Sequence, residues 1–185
     1  MIDELGFDKF GRANWHNLWM TMSFLVSQKS LDPRTKHGCI VVDEENTFLS
    51  MGYNSPPRKC VENNMPTKGD DKYKVFQHSE SNAITNAARK GISLKDSIFY
   101  ITGHPCTDCF GKMINVGVSK IIYGPVGSHM LTEEDIKLIK KMLVKQKIEI
   151  IKYEDQYKIE DVQELLLNTI NYIDDIKKRR HLING

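Results

Sequence analysis

The sequence predicts an α/β sandwich in which a mixed five-stranded sheet is covered by helices, with one further helix at the C-terminus. The chain has 185 residues, about the size of one domain, and 40% of them are hydrophobic. Short apolar runs alternate with segments whose apolar residues recur at helical spacing. Strands joined through helices favour parallel pairing and strands joined by a tight turn favour antiparallel pairing, so this order predicts a mixed sheet.

The first half of the chain predicts a helix, a hairpin and a long loop. Residues 15–29 place apolar side chains at helical spacing, and Pro33 lies just beyond the end of that helix. Two short apolar runs, 39–42 and 48–53, flank a polar turn and predict a β-hairpin. Residues 54–74 contain three prolines and few apolar residues, which predicts a long loop of the kind that often carries function.

The second half predicts helices and strands in alternation. A glycine follows each of the first two helices, and Thr132 is positioned to cap the third. The predicted helices cover residues 78–90, 105–116 and 132–145, and the predicted strands cover 97–102, 120–123 and 148–151. Because helical crossovers connect these three strands, we expect them to be parallel.

The C-terminal segment predicts one long helix over residues 159–183, with an apolar stripe and a basic end at residues 177–180. We interpret it as a packing or oligomerising helix; binding of nucleic acid or acidic lipid by the basic end is the alternative. We therefore divide the chain into an α/β domain at 1–153 and a helical extension at 154–185.

Composition and charge exclude several classes of protein. The 26 basic and 24 acidic residues leave a net charge of +2, which excludes a strongly basic nucleic-acid coat protein. No apolar run approaches the roughly 18 residues of a membrane helix, and the first residues do not resemble a signal peptide. We expect a cytoplasmic protein with no membrane partner, in which four cysteines serve metal binding or catalysis rather than disulfides.

Two short motifs carry the chemistry: His78-Ser79-Glu80, and Pro105-Cys106-Thr107-Asp108-Cys109, in which Cys106 lies 26 residues after Glu80. One imidazole and two thiolates suit Zn²⁺, and cysteines three residues apart share one face of a helix. Three protein ligands leave one tetrahedral position open, as in catalytic zinc sites. Glu80 is not needed as a ligand and is placed for general acid/base work.

The alternative to a catalytic zinc site is a structural one, a zinc knot. It needs a fourth ligand, for which His104, Cys39 and Cys60 are the candidates. A zinc-stabilised module that binds nucleic acid is a further, non-enzymatic alternative. Such a module does not require a carboxylate beside an open zinc position, so the presence of Glu80 favours an enzyme over a binding module.

The pattern H-x-E followed by P-C-x-x-C resembles the zinc-dependent nucleobase deaminases. The flanking segments 27–33, 52–54 and 82–84 resemble the deoxycytidylate (dCMP) deaminases, of phage or viral type. The resemblance implies a three-layer α/β/α sandwich of the cytidine deaminase type, and conversion of dCMP to dUMP with release of ammonia. It also implies a homohexamer, regulation by dCTP and dTTP with Mg²⁺, and host cytoplasm if the chain is viral.

The resemblance also implies roles for individual residues. Glu80 would protonate N3 of cytosine and then the leaving amine, the carbonyl of His104 would accept from the 4-amino group, and the backbone N–H of Ser79 would bind O2. Asn54 would bind the sugar hydroxyl, with a turn-forming role as the alternative. Arg89 is the first candidate for the phosphate; the other candidates are Arg12, Arg34, Lys36 and Arg58.

The chain departs from the family pattern around the expected pocket. Ser55 stands where the family has glycine, Ser79 where it has alanine, and His37 where it usually has valine. A tyrosine that stacks on the base is expected after the fourth strand, but residues 124–129 contain none. We hypothesise a wider pocket that admits 5-methyl- or 5-hydroxymethyl-dCMP, with His129 as the replacement stacking surface. A polynucleotide substrate is a second alternative, against which the near-neutral charge argues.

Overall fold

The computed structural model describes residues 11–60, 64–127 and 131–183. Its strands form one sheet in the order β2-β1-β3-β4-β5. The strands are β1 (Gly38–Val42), β2 (Phe48–Tyr53), β3 (Ile98–Gly103), β4 (Lys120–Val126) and β5 (Glu149–Lys152). β1 runs antiparallel to both β2 and β3, whereas β3, β4 and β5 are parallel to one another. The predicted hairpin, the three parallel strands and the mixed sheet are confirmed.

The helices lie close to their predicted positions, with two short additions. They are α1 (Trp15–Ser27), α2 (Asp70–Val75), α3 (Ser79–Lys90), α4 (Thr107–Asn115), α5 (Glu133–Leu143), α6 (Tyr153–Gln156) and α7 (Ile159–Ile183). The prediction of a loop throughout 54–74 is wrong at its end, where α2 begins. Two aspartates in its first turn and two lysines in its last complement the helix dipole, which favours this short helix.

Helices cover both faces of the sheet, as predicted. One apolar cluster joins α3, α4 and α5 to the sheet through residues such as Ala83, Phe110 and Ile139, and the second joins α1, α6 and α7 to the opposite face. All five residues of β1 are buried because both of its faces are covered. Phe110 is fully buried, which contributes about 1.5–3 kcal/mol relative to exposure.

Gly52 in β2 allows α3 to approach the sheet closely at its first turn. A Cβ atom at this position would lie 2.1 Å from the carbonyl oxygen of Ser79 and 2.4 Å from the backbone nitrogen of Ala83, so only glycine fits without moving the helix. The close approach of the β2 backbone therefore sets the position at which α3 begins. It thereby also sets the positions of the side chains in the first turn of α3.

The C-terminal helix α7 packs beside α1 along its first turns. Asn17 donates a hydrogen bond to Asp161 over 3.1 Å, and Val162 is buried in the same apolar cluster as Met20. Farther along α7, Leu167, Ile170 and Ile173 are exposed, with Ile170 at 55%. The division of the chain at residues 153 and 154 stays a prediction. No helix in the described residues is long and apolar enough to cross a membrane.

Candidate active site

The N-termini of α3 and α4 meet at one end of the parallel strands. His78 and Cys106 occupy the N-cap positions of these two helices, both in extended backbone conformation. Neither side chain caps its own helix, unlike the serine or aspartate usual at such positions. Both side chains therefore project into the space between the two helix ends, where Cys109 joins them from the first turn of α4.

The geometry of these three residues suits one zinc ion. His78 Nδ1 lies 3.3 Å from Cys106 Sγ and 3.5 Å from Cys109 Sγ, and all three ligand atoms lie within 4.8 Å of one another. Ordinary zinc–ligand distances and tetrahedral angles give a nitrogen–sulfur separation of about 3.6 Å. The donor set and its spacing therefore fit a zinc ion, as predicted for His78, Cys106 and Cys109.

The structure does not support a four-ligand zinc knot. Within the described parts of the chain, the cluster of metal-ligating side chains contains three residues and not Cys39, Cys60 or His104. Cys39 is fully buried in the apolar core, and the ring of His104 packs against Phe110 and Tyr123. Three protein ligands would leave one position of a tetrahedral zinc ion open, and two of these ligands, His78 and Cys106, line the cavity described below, an arrangement that fits a catalytic site.

The protonation of the three ligand groups is coupled. A hydrogen bond from Cys109, followed by one from His78, lowers the pKa of the Cys106 thiol to about 4. The neighbouring Cys106 and burial raise the pKa of Cys109 above its usual range. Two sulfur atoms here compete for one proton, and a divalent cation would remove that competition by binding both as thiolates.

Glu80 lies in the first turn of α3, two residues after His78. The residue is 5% exposed and lines the same cavity as His78 and Cys106. Burial raises the pKa of Glu80 despite opposing interactions with a backbone N–H and His78. The hydroxyl of Ser79 donates to Glu80 Oε2 over 2.8 Å, which orients the carboxylate. A carboxylate placed this way can take up and deliver a proton.

A cavity of about 510 Å³ opens in front of these residues. Its walls come from the segment before β1, the end of β2, helix α2, and the loops after β3 and β4. Besides His78, Glu80 and Cys106, the lining includes Asp32, Arg34, Thr35, His37, Asn54, Lys72, Tyr73, Phe76, Ser79, Gly103, His104, Thr107, Gly127 and Asp135. The volume and the mixed polar and aromatic lining suit a ligand of nucleotide size.

The structure brings together some of the predicted substrate-binding residues. Asn54, Ser79 and His104 line the cavity with Glu80. Lys36 and Arg89 are not part of its described lining, and Arg89 lies exposed at the C-terminal end of α3. The lining does contain another predicted phosphate candidate, Arg34. His129 lies outside the described residues.

One wall of the cavity is built on Asp32, which lies in the segment 27–33 that resembles the dCMP deaminases but was assigned no role of its own from the sequence. Asp32 Oδ1 accepts from the backbone N–H groups of Arg34 and Thr35 at 2.9 and 3.2 Å. Its other oxygen accepts from Asn54 Nδ2 at 3.3 Å and forms a buried ion pair with Lys72 of α2. Burial alone raises the pKa of Asp32, but Lys72 and the two N–H groups lower it overall.

Asn54 is held tightly in this wall. Its amide nitrogen donates to Asp32 and to the carbonyl of Thr35, and its amide oxygen accepts from the backbone N–H of His37 over 2.8 Å. Both amide protons are therefore used inside the protein, while the amide oxygen keeps one acceptor position. Asn54 thus serves the structure of the wall, and only its oxygen remains for a ligand hydroxyl.

Comparison with known proteins identifies the family. The sequence model described as the cytidine and deoxycytidylate deaminase zinc-binding region matches residues 13–125. The chain belongs to this family. The match spans α1 to β4 and includes all three members of the metal cluster and Glu80.

Curated proteins with assigned names are similar to part of the chain. The probable deoxycytidylate deaminase of Drosophila melanogaster is 35% identical over 121 residues, covering 60% of this chain and 59% of that protein. The human deoxycytidylate deaminase is 31% identical over 115 residues, covering 59% of this chain and 64% of that protein. The chain thus spans less than two thirds of the length of these curated relatives.

A solved structure in the family has the same fold. The dCMP deaminase of cyanophage S-TIM5, solved in complex with dCMP and dUMP, superposes with a TM-score of 0.57 at 25% identity. The match covers 72% of this chain and 92% of that chain. The expected three-layer sandwich of the cytidine deaminase type is confirmed.

Proposed function

We propose that the protein is a zinc-dependent dCMP deaminase that converts dCMP and water to dUMP and ammonia. The observation that carries this proposal is the three-residue cluster of His78, Cys106 and Cys109 beside the buried Glu80, at the base of a cavity of about 510 Å³. The names of the relatives in Drosophila melanogaster and human, and of the cyanophage enzyme, support dCMP as the substrate.

The metal-binding residues and Glu80, at the base of the cavity, would have different roles in the reaction. His78, Cys106 and Cys109 would hold the zinc ion, which lowers the pKa of a water ligand to about 7 and so provides a nucleophile at neutral pH. Glu80 would accept one proton from the attacking water and pass it to N3 of the cytosine ring. It would then take the remaining hydroxyl proton of the C4 adduct and pass it to the amine as the C4–N bond breaks, which gives dUMP and ammonia.

Backbone groups of Ser79 and His104 would orient the base. Ser79 is the first residue of α3, and the first N–H groups of a helix have no acceptor within that helix. We assign the Ser79 N–H to O2 of cytosine and the carbonyl of His104 to the 4-amino group, since both residues line the cavity. The amide oxygen of Asn54 is assigned to the sugar hydroxyl.

The phosphate is assigned to a cation on the cavity wall. Arg34 is the phosphate candidate that lies in the described lining, and its backbone N–H is held by Asp32. Lys36 and Arg89, which were also predicted, would contribute only after a change in side-chain position or from a neighbouring subunit. Replacing Arg34 with methionine should raise KM for dCMP and leave KM for deoxycytidine unchanged. Arg89→Met is the control variant, and it should leave both KM values unchanged if Arg34 alone binds the phosphate.

We also propose that the protein is a cytoplasmic homo-oligomer, with a hexamer as the expected assembly. The exposed apolar residues Leu167, Ile170 and Ile173 on α7 support an interface between subunits. Regulation by dCTP and dTTP with Mg²⁺ is proposed near residues 52–54. There Asn82 donates to the carbonyl of Tyr53 at 2.8 Å and to the hydroxyl of Ser55 at 3.2 Å, which ties this segment to α3.

The proposal is tested by an ultraviolet deamination assay with the zinc-loaded protein and a panel of substrates. The panel contains dCMP, 5-methyl-dCMP, 5-hydroxymethyl-dCMP, deoxycytidine and single-stranded DNA. The proposal predicts that dCMP has the highest kcat/KM. A much higher value for either 5-substituted nucleotide would instead establish the wider pocket suggested by the sequence, and turnover of DNA alone would overturn the assignment to mononucleotides.

A further inference from the structure

A serine hydroxyl lies behind one of the ligand sulfurs, outside the cavity lining. Ser81 of α3 is 6% exposed, and its Oγ atom lies 3.8 Å from Cys109 Sγ. Lys112, one turn after Cys109 on α4, donates to the same Oγ atom from 3.1 Å. Its ammonium group also contacts Asp108 Oδ2 at 2.6 Å. These side chains connect the two helices that carry the metal ligands.

The lysine determines the direction of this short chain of hydrogen bonds. An ammonium group only donates, so Ser81 Oγ must be the acceptor in its contact with Lys112. The single hydroxyl proton of Ser81 is therefore directed to another acceptor. Cys109 is the sulfur within reach, and as a thiolate ligand it has no proton of its own to donate. The hydrogen bond consequently runs from Ser81 to Cys109.

We propose that Ser81, held in this orientation by Lys112, is a positioning residue that donates a hydrogen bond to the Cys109 sulfur of the zinc site. The inference rests on the proposed function insofar as zinc occupies the cluster. A hydrogen bond to a thiolate withdraws electron density from the sulfur, so Cys109 donates less charge to the metal and the ion remains a stronger Lewis acid. The bond also fixes the Cys109 rotamer between α3 and α4.

Cobalt substitution measures the charge donated by the sulfur without any substrate. A Co²⁺-loaded protein shows sulfur-to-cobalt charge-transfer absorption, whose energy falls when the thiolate becomes a better electron donor. The change Ser81→Ala removes the hydroxyl and keeps the helix. We expect its charge-transfer band to shift to longer wavelength and its zinc affinity, measured by chelator competition, to fall about tenfold.

Two further variants separate this role from simple packing. Thr85 lies one turn along α3, and its hydroxyl bonds to backbone carbonyls rather than to sulfur. Thr85→Ala should therefore leave the band and the zinc affinity unchanged. Lys112→Arg retains a group that only donates and should keep the band of the original protein, whereas Lys112→Met should shift it in the same direction as Ser81→Ala.

The outcomes are distinct from those of the deamination assay. An unchanged band and zinc affinity in Ser81→Ala, or an equal change in Thr85→Ala, would overturn the proposal. A protein without any cobalt–thiolate band would overturn both this proposal and the zinc site. A protein with the expected band shifts that does not deaminate dCMP would support the role of Ser81 while contradicting the proposed reaction.

Discussion

Replacing Asp32 with asparagine is expected to lower the free energy of unfolding by about 3–5 kcal/mol. Asp32 and Lys72 form an ion pair whose side chains are only 4% and 8% exposed. Without the carboxylate charge, the Lys72 ammonium remains buried with no counterion. The folded state must then carry that desolvated charge or release α2 from the cavity wall, and both are costly.

Replacing Lys72 instead should lower the free energy of unfolding by less, because Asp32 has other hydrogen-bond partners. In Lys72→Met, the carboxylate still accepts from the N–H groups of Arg34 and Thr35 and from Asn54. We expect a loss of about 1–3 kcal/mol. Because the two residues are in contact, the double variant should be less destabilised than the sum of the single variants.

Urea unfolding of the zinc-loaded protein at neutral pH measures these differences by linear extrapolation. Lys74→Met is the matched control, since Lys74 pairs with Asp71 on the same short helix but both side chains are more than 70% exposed. Its cost should be below about 0.5 kcal/mol. A cost below about 1 kcal/mol for Asp32→Asn, or one equal to the control, would refute the reasoning.

The stabilisation that Asp32 contributes to the free energy of unfolding should be lost at low pH. Lys72 and two backbone N–H groups hold the pKa of Asp32 below its usual value of 3.8 in the folded protein. The ionised carboxylate therefore stabilises the fold above the unfolded pKa, and this contribution disappears as the pH falls through the lower, folded value. The difference between the original protein and Asp32→Asn should stay constant from about pH 5 to 8 and shrink below about pH 4.

Three further changes test the site and its support. Cys109→Ser should leave much less than one zinc per chain by atomic absorption, because the hydroxyl is a poor ligand for zinc; full occupancy would contradict the ligand assignment. Gly52→Ala places a Cβ atom 2.1 Å from the Ser79 carbonyl oxygen, so it should lower both thermal stability and kcat by displacing α3, and an unchanged kcat would show that this approach does not set the site. Phe110→Ala removes a fully buried ring and should cost about 3–5 kcal/mol in urea unfolding; a cost under about 1 kcal/mol would place Phe110 outside the core.

The sequence predicts the sheet and the long helices because each leaves a periodic apolar pattern. The alternation of strand and helix between residues 97 and 151 indicates three parallel strands, and the structure confirms them. Boundaries are less accurate where local signals conflict. β4 continues to Val126 although the predicted strand ends at Tyr123, because its last residue still pairs with Gly103 after an irregularity in the register.

The short helices and the cavity wall leave no comparable pattern. α2 has six residues and α6 has four, too few for a helical period to be recognised. The ion pair between Asp32 and Lys72 joins positions 40 residues apart, and only the fold brings them together. In the sequence, Asp32 serves equally well as a helix stop and Lys72 as one residue in a charged run.

The zinc ligands were predictable from the spacing of the two motifs, but their surroundings were not. The relation of Ser81 to Cys109 depends on how α3 packs against α4, which no local pattern determines. The choice among the candidate phosphate-binding residues also depends on the fold and could not be made from local sequence. Arg89 was chosen from a family resemblance, whereas the described cavity lining contains Arg34, at the turn before β1.

The most direct test of the account compares the original protein with Glu80→Gln. Both are loaded with zinc, the metal content is measured, and dCMP turnover is followed together with the ammonia released. We predict equal zinc content in the two proteins, one ammonia for each dUMP in the original protein, and a loss of at least about 100-fold in kcat for Glu80→Gln. A variant that retains turnover within a few-fold of the original protein would contradict the assigned role of Glu80, and an original protein without dCMP turnover would contradict the proposed reaction.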